Sequence, residues 1–149
     1  MQSLVCAMLL LTCPSIAMMV QVTPSVATSI LDKVHGTLTT KEPGWKITRK
    51  ESEGSRTTYQ WEMEGVGKAN IHIFTNGSPE EAAVTLQKLI NRVQVGPIVQ
   101  LKNLGDEAYI WRSGIIRFRK GNFVIEVVAT KPAIAEKLSA YAAEAVPEK

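Results

Sequence analysis

Ile115-Ile116-Arg117-Phe118-Arg119-Lys120-Gly121-Asn122-Phe123-Val124-Ile125-Glu126-Val127-Val128-Ala129 is the stretch whose reading decides the fold. On each side of Gly121-Asn122, alternate residues belong to opposite faces, the period of a half-buried strand. Gly-Asn between two such runs suits a two-residue hairpin turn. That turn sets Phe118 opposite Ile125, Ile116 opposite Val127 and Arg117 opposite Glu126. Upstream, Ser113-Gly114 reads as a second two-residue turn, setting Trp111 opposite Ile116 and Tyr109 opposite Phe118. One face then carries Tyr109, Trp111, Ile116, Phe118, Ile125 and Val127. The other carries Ile110, Ile115, Val124 and Val128, with Arg117, Arg119 and Glu126 among them.

Working outward, residues 132–145 form a helix, with Thr130 as its expected cap and Ile134, Leu138, Tyr141 and Ala142 on one face. Ile98 to Leu101 reads as a short strand. Ser78-Pro79-Glu80-Glu81 marks a helix start, because Ser caps, Pro suits the first turn and Glu81 completes a capping box. That helix is expected to reach about Gln94. Further upstream, Ala69, Ile71 and Ile73 alternate with polar residues, as do Tyr59 and Trp61, and Trp45 and Ile47. A five-residue loop from Glu51 to Ser55 would set Trp45 opposite Trp61 and Ile47 opposite Tyr59. Residues 28–38 repeat Ile30, Leu31, Val34 and Leu38 at helical spacing. Hairpins rather than crossover helices join most strands, so the fold class is α+β. The expectation is a mainly antiparallel sheet of two three-stranded meanders with two or three packed helices, and a repeated βββα unit as one reading of the two halves.

The N-terminus has a different character. No Asp, Glu, Lys, Arg or His precedes Asp32, and Leu4 to Leu11 is almost wholly apolar. This is the composition of a secretory signal, though Met1-Gln2-Ser3 lacks the usual basic residue. Small-residue cleavage patterns occur at Ser15-Ile16-Ala17 and Ser25-Val26-Ala27. The second divides the chain into a signal peptide, 1–27, and a single domain, 28–149. An uncleaved segment would instead anchor the chain to a membrane, and lipidation at Cys13 is a third fate. The two cysteines, Cys6 and Cys13, both lie in this segment. The domain therefore has no disulfide framework, cysteine nucleophile or thiolate metal site. Its net charge of +3 is small and dispersed, which argues against a nucleic-acid surface.

Few residues invite chemistry. His35 and His72 are far apart in sequence and lack the ligand spacing of a zinc site, so no metal and no cofactor is expected. No Gly-x-Ser-x-Gly elbow and no phosphate-binding glycine pattern occurs. Trp45, Tyr59 and Trp61 could stack sugars if exposed, but their alternation with Lys and Glu assigns them to the core. The basic stretch around Arg117 and Arg119 is the most suggestive. With Ile110, Val124 and Glu126 it would form an apolar face studded with guanidinium groups, suited to a small acidic ligand or an acidic protein surface. A helix of the same chain over that face, with Arg117 paired to Glu126, is the competing arrangement.

Leu104-Gly105-Asp106-Glu107-Ala108-Tyr109, followed by Phe118-Arg119-Lys120-Gly121-Asn122-Phe123-Val124-Ile125-Glu126-Val127, resembles a pattern in small secreted or lipid-anchored bacterial proteins of unknown function. The resemblance covers residues 104–140. It implies an extracytoplasmic α+β domain and carries no catalytic residues. The sequence thus points to a secreted or periplasmic, non-catalytic binding module, touching a membrane only through an uncleaved N-terminal segment. A small hydrolase using Asp106 or Glu107 with a histidine is the alternative, and a structural accessory subunit a third.

Overall fold

In the computed structural model of the protein, residues 25–92, 96–111 and 113–148 are described. The expected signal peptide and Cys6 and Cys13 lie almost entirely outside these residues. The element order is α1 (Val26–Lys41), β1 (Lys46–Glu53), β2 (Arg56–Met63), β3 (Gly67–Thr75), α2 (Pro79–Arg92), β4 (Ile98–Leu101), β5 (Glu107–Trp111), β6 (Ile115–Lys120), β7 (Phe123–Ala129) and α3 (Pro132–Ala145). All seven strands form one antiparallel sheet in the order β1-β2-β3-β7-β6-β5-β4. The α+β class and the two meanders are therefore observed, joined where β3 pairs with β7.

The sheet has two different faces. Ile47, Tyr59, Trp61, Ala69, Ile71, Ile73, Ile116, Phe118, Ile125, Val127 and Ala129 point to one, where α1 and α3 lie side by side. Trp61 has no exposed surface and Trp45 almost none, so the aromatic group is core. On the opposite face, α2 packs Ala82, Leu86 and Leu89 onto Val124, flanked by Phe74, Ile90 and Tyr109. Each meander is followed by a helix, yet α2 and α3 lie on opposite faces. A two-fold axis through the β3–β7 pair would have to run perpendicular to the sheet, and it would leave both helices on one face. The likeness of the two halves is thus confined to their strands.

Local chemistry accounts for the helix ends. Ser25 Oγ accepts from Thr28 N–H at 3.2 Å and begins α1. Ser78 Oγ accepts from Glu81 N–H at 3.2 Å, while Glu81 Oε2 accepts from Gly77 N–H at 2.9 Å, so the box at α2 closes one residue early. Thr130 does not cap α3. Its hydroxyl accepts from Lys68 N–H at 3.2 Å instead, tying β3 to the α3 entry, and α3 starts without a side-chain cap.

Two registers differ from the sequence reading. In the first hairpin β1 continues to Glu53, and the turn is the two-residue Gly54-Ser55, with Gly54 at φ +57°. Ile47 lies opposite Trp61, and an extra residue at Thr48 bulges out before Arg49 pairs with Gln60. The bulge offsets the shorter turn, so Ile47 stays on the core face. In the β5–β6 hairpin the turn takes three residues, not two. Gly114, at φ +81°, donates its N–H to Trp111 O at 3.1 Å. Trp111 therefore lies opposite Ile115, Ile110 opposite Ile116 and Tyr109 opposite Arg117. A slip of one residue sends every side chain of a strand to the other face. Tyr109 and Trp111 consequently join Arg117, and Ile110 moves to the face of α1 and α3. The β6–β7 register is the expected one, with Arg117 opposite Glu126.

Candidate functional site

The registers align a polar row across all seven strands on the α2 face: Glu51, Thr58, His72, Glu126, Arg117, Tyr109 and Gln100. The five expected site residues divide about this row. Arg117, Arg119, Val124 and Glu126 share the α2 face, as expected, whereas Ile110 lies behind the sheet.

Arg117 is only 6% exposed. Its Nε donates to Glu126 Oε2 at 2.5 Å, and its Nη2 pairs with the same carboxylate. Its Nη1 donates to the Leu89 carbonyl at 2.6 Å, in the last turn of α2. Its guanidinium lies over the Trp111 ring, 5.0 Å from the centroid. All three interactions are internal, and one of them meets the negative end of a helix dipole. Val124 is fully buried beneath Leu86 and Leu89. The apolar-basic face drawn from the sequence is therefore occupied by the chain's own helix. Arg117 acts as a clasp that fixes α2 to β6 and β7.

Arg119 is also committed within the fold. Its Nη1 donates to Asp106 Oδ2 at 3.0 Å, and the same oxygen accepts from Gly121 N–H at 2.8 Å. Asp106 thus ties the loop before β5 to the β6–β7 turn. Glu107 Oε1 accepts from Tyr109 Oη at 2.7 Å and from Gln87 Nε2 at 3.3 Å. A recess of about 580 Å³ beside Asp106 is lined by Lys33, Asn103, Lys120 and Glu144 among others, and by no histidine. Lys120 within it donates to the carbonyls of Ala143 and Val146, closing the end of α3. His72 is three strands from Glu107, about 14 Å at the usual interstrand spacing. His35 lies on α1, accepting from Trp61 Nε1 at 3.2 Å. The acid–histidine pair that a hydrolase would need is not brought together at Asp106 or Glu107. Among the described residues no group of three or more His, Cys, Asp or Glu is placed to hold a metal ion.

The other half of the α2 face has a different character. No described helix packs over β1, β2 or the open end of β3 there. Its side chains are Arg49, Glu51, Thr58, Gln60, Glu62, Lys68, Asn70 and His72, with Val128 at the boundary. The charges are paired in place, Arg49 with Glu51 and Lys68 with Glu62. Thr58 Oγ1 and His72 Nδ1 share a hydrogen bond of 2.8 Å. Burial pushes the His72 imidazole below its ordinary range, against the pull of Glu126. Between them, Gln60 and Asn70 face each other across β2 and β3. The Asn70 Oδ1 is shielded from solvent and accepts no hydrogen bond. Two shallow clefts mark this surface. One of about 260 Å³ is lined by Gln60, Lys68, Asn70, Val128 and Thr130 with neighbouring backbone. The other, about 390 Å³, is lined by Arg49, Glu51, Ser52, Glu53, Arg56 and Thr58.

The alternation of Tyr59 and Trp61, and of Ile71 and Ile73, with polar residues places Gln60 and His72 on the face opposite that core. It gave no sign that α2 would shelter only the β6–β7 side, which is what makes their surroundings a surface. A second cluster joins α1 to the first hairpin on the opposite face. Asp32 Oδ1 accepts from Tyr59 Oη at 2.8 Å and from Lys50 Nζ at 3.2 Å. Partial burial raises the Asp32 carboxyl, and these hydrogen bonds outweigh it and hold the group below its usual range. Each member of the cluster is satisfied by another, so it reads as a fastening for α1. No family model, curated protein or solved structure matches the chain, and the site is therefore characterised by its geometry alone.

Proposed function

We propose that the protein is an exported, non-catalytic binding module whose partner rests on the open half of the sheet, across β1, β2 and β3. The observation that carries this reading is the one-sided cover of the α2 face. Half of it is roofed and apolar, while the other half carries the part-buried Gln60, Asn70 and His72, with the Thr58 hydroxyl buried against His72, beside two clefts. A seven-stranded sheet held rigid from behind by α1 and α3 is a firm platform for such groups, and recognition on it needs little ordering. With its charges already paired, the surface suits a polar, hydrogen-bonding partner better than the acidic one to which Arg117 first pointed. The resemblance to small secreted bacterial proteins and the uncharged N-terminus support an extracytoplasmic setting.

The test is shift mapping by NMR on isotopically labelled protein titrated with concentrated periplasmic or culture fractions. Perturbations should centre on Gln60, Asn70 and His72, and the double variant Gln60→Arg with Asn70→Arg should abolish them without unfolding the chain. Perturbations centred on the recess beside Asp106 and Lys120 would overturn the assignment.

A further inference from the structure

The two edges of the sheet are unlike, and the difference bears on how copies of this chain meet. β1, at one edge, carries Lys46, Arg49, Lys50, Glu51 and Glu53 and is interrupted by the bulge at Thr48. Charges and bulges are the devices that keep an edge strand from pairing with another chain. β4, at the other edge, has neither. Ile98-Val99-Gln100-Leu101 is uncharged, and no ionisable residue occurs from Val93 to Leu101. Leu101 leans against the core, whereas Ile98 is 41% and Val99 55% exposed. They are two of the four large hydrophobic residues exposed among the described residues, and they are adjacent on one edge.

We propose that β4 is a self-association edge, pairing antiparallel with β4 of a second copy about a two-fold axis. The occupant follows from the two edges. Pairing of β4 with β1 of another copy would set an uncharged strand against a charged and bulged one, and would propagate into an open filament. Pairing of β4 with itself brings together two strands free of charge and closes after two copies.

The side-chain period then selects the register. An axis perpendicular to the sheet keeps each face continuous, so residues facing each other must share a face. Val99 and Leu101 share the face of Ile110 and Ala108, whereas Ile98 and Gln100 share that of Trp111 and Tyr109. Centring the axis on Gln100 would bring Ile98 opposite Lys102 of the second copy. Centring it on Val99 sets Val99 opposite Val99, Ile98 opposite Gln100 and Leu101 opposite Pro97, and leaves Lys102 outside the pairing. The Val99-centred register is the one assigned. Two seven-stranded sheets would thereby become one continuous sheet, with the open halves of both α2 faces at its distant ends. A contact built on so short a strand belongs with the small, weak interfaces.

Sedimentation equilibrium of the purified protein, up to about 1 mM, tests this. The expected result is a reversible monomer–dimer equilibrium. Val99→Lys places like charges opposite each other on the axis and should weaken dimerisation about tenfold or more. Val84→Lys, a change at an equally exposed residue on α2, should leave it unaltered. Val99→Cys in a Cys6→Ser, Cys13→Ser background should oxidise to a disulfide-linked dimer, because facing residues of an antiparallel pair lie within disulfide reach. That arm also decides the matter if Val99→Lys perturbs folding. A monomer throughout with no cross-link, or a dimer that Val84→Lys abolishes and Val99→Lys does not, would overturn the proposal.

Discussion

Arg117 is where the chemistry of one side chain has the widest structural consequence. Its guanidinium joins Glu126 on β7 to the last turn of α2, at a position nearly closed to water. Removing one member of a buried ion pair leaves the other without compensation, whereas replacing both with apolar groups can restore much of the loss. Arg117→Leu is therefore expected to cost about 3–5 kcal/mol in urea denaturation. The double variant with Glu126→Leu should recover most of it, and a single-variant cost below about 1 kcal/mol would show that the clasp is dispensable. His72 makes a separate prediction. Burial depresses its imidazole from the ordinary value of 6.5, so the folded chain keeps it neutral while the unfolded chain takes up the proton first. Its contribution to stability is present above about pH 6.5 and is lost as pH falls through the depressed folded value. The melting temperature should decline between pH 7 and pH 5, and His72→Gln should flatten part of that decline. An unchanged slope would mean that other groups carry it.

At the scale of elements, the β5–β6 turn has the largest effect. Ser113-Gly114 was legible as a turn, but not its length. A two-residue turn and a three-residue turn can both be built around Ser113-Gly114, and they differ by one step of register. That step decides whether Ile110 or Tyr109 and Trp111 stand beside Arg117. Here Gly114 is left-handed and its carbonyl accepts from Ala129 N–H at 3.0 Å. A Cβ at this position would come within 2.5 Å of the Ala129 carbonyl oxygen. Gly114→Ala should therefore destabilise the protein by more than about 1 kcal/mol and speed hydrogen exchange of the Trp111 and Ile115 amides. A neutral effect would show that the hairpin tolerates another turn. The β6–β7 hairpin was read correctly because Gly121-Asn122 admits a two-residue turn and both flanking runs agree with it.

At the scale of the molecule, α1 limits how the N-terminus can be processed. Ser25 caps its first turn, and Ala27 is packed in the core at 2% exposure. A cut after Ala27 would remove both, and an N-cap alone is worth about 1 kcal/mol. A cut after Ala17, the other small-residue pattern, leaves the helix whole. If the chain is exported and cleaved, mass spectrometry of the mature form should find its first residue upstream of Ser25. A start at Thr28 would mean that α1 holds without its cap. No described helix is long and apolar enough to cross a membrane.

The sequence by itself determined the α+β class, the identity of nearly every strand and helix, the burial of Trp45, Tyr59 and Trp61, and the Arg117–Glu126 pairing. Each follows from short-range information: side-chain period, capping residues, and a turn whose two residues fix the register of the strands it joins. Tertiary structure alone decided which face α2 would cover. A helix with an apolar stripe can dock on either side of a sheet, and the choice depends on where Leu86 and Leu89 find a complementary surface, here Val124, Phe74 and Tyr109. That one docking event converted Arg117 from a candidate ligand-binding residue into a clasp. It also left Gln60, Asn70 and His72 on the uncovered side of the same sheet face, and this is why the candidate site lies on β2 and β3 rather than on β6.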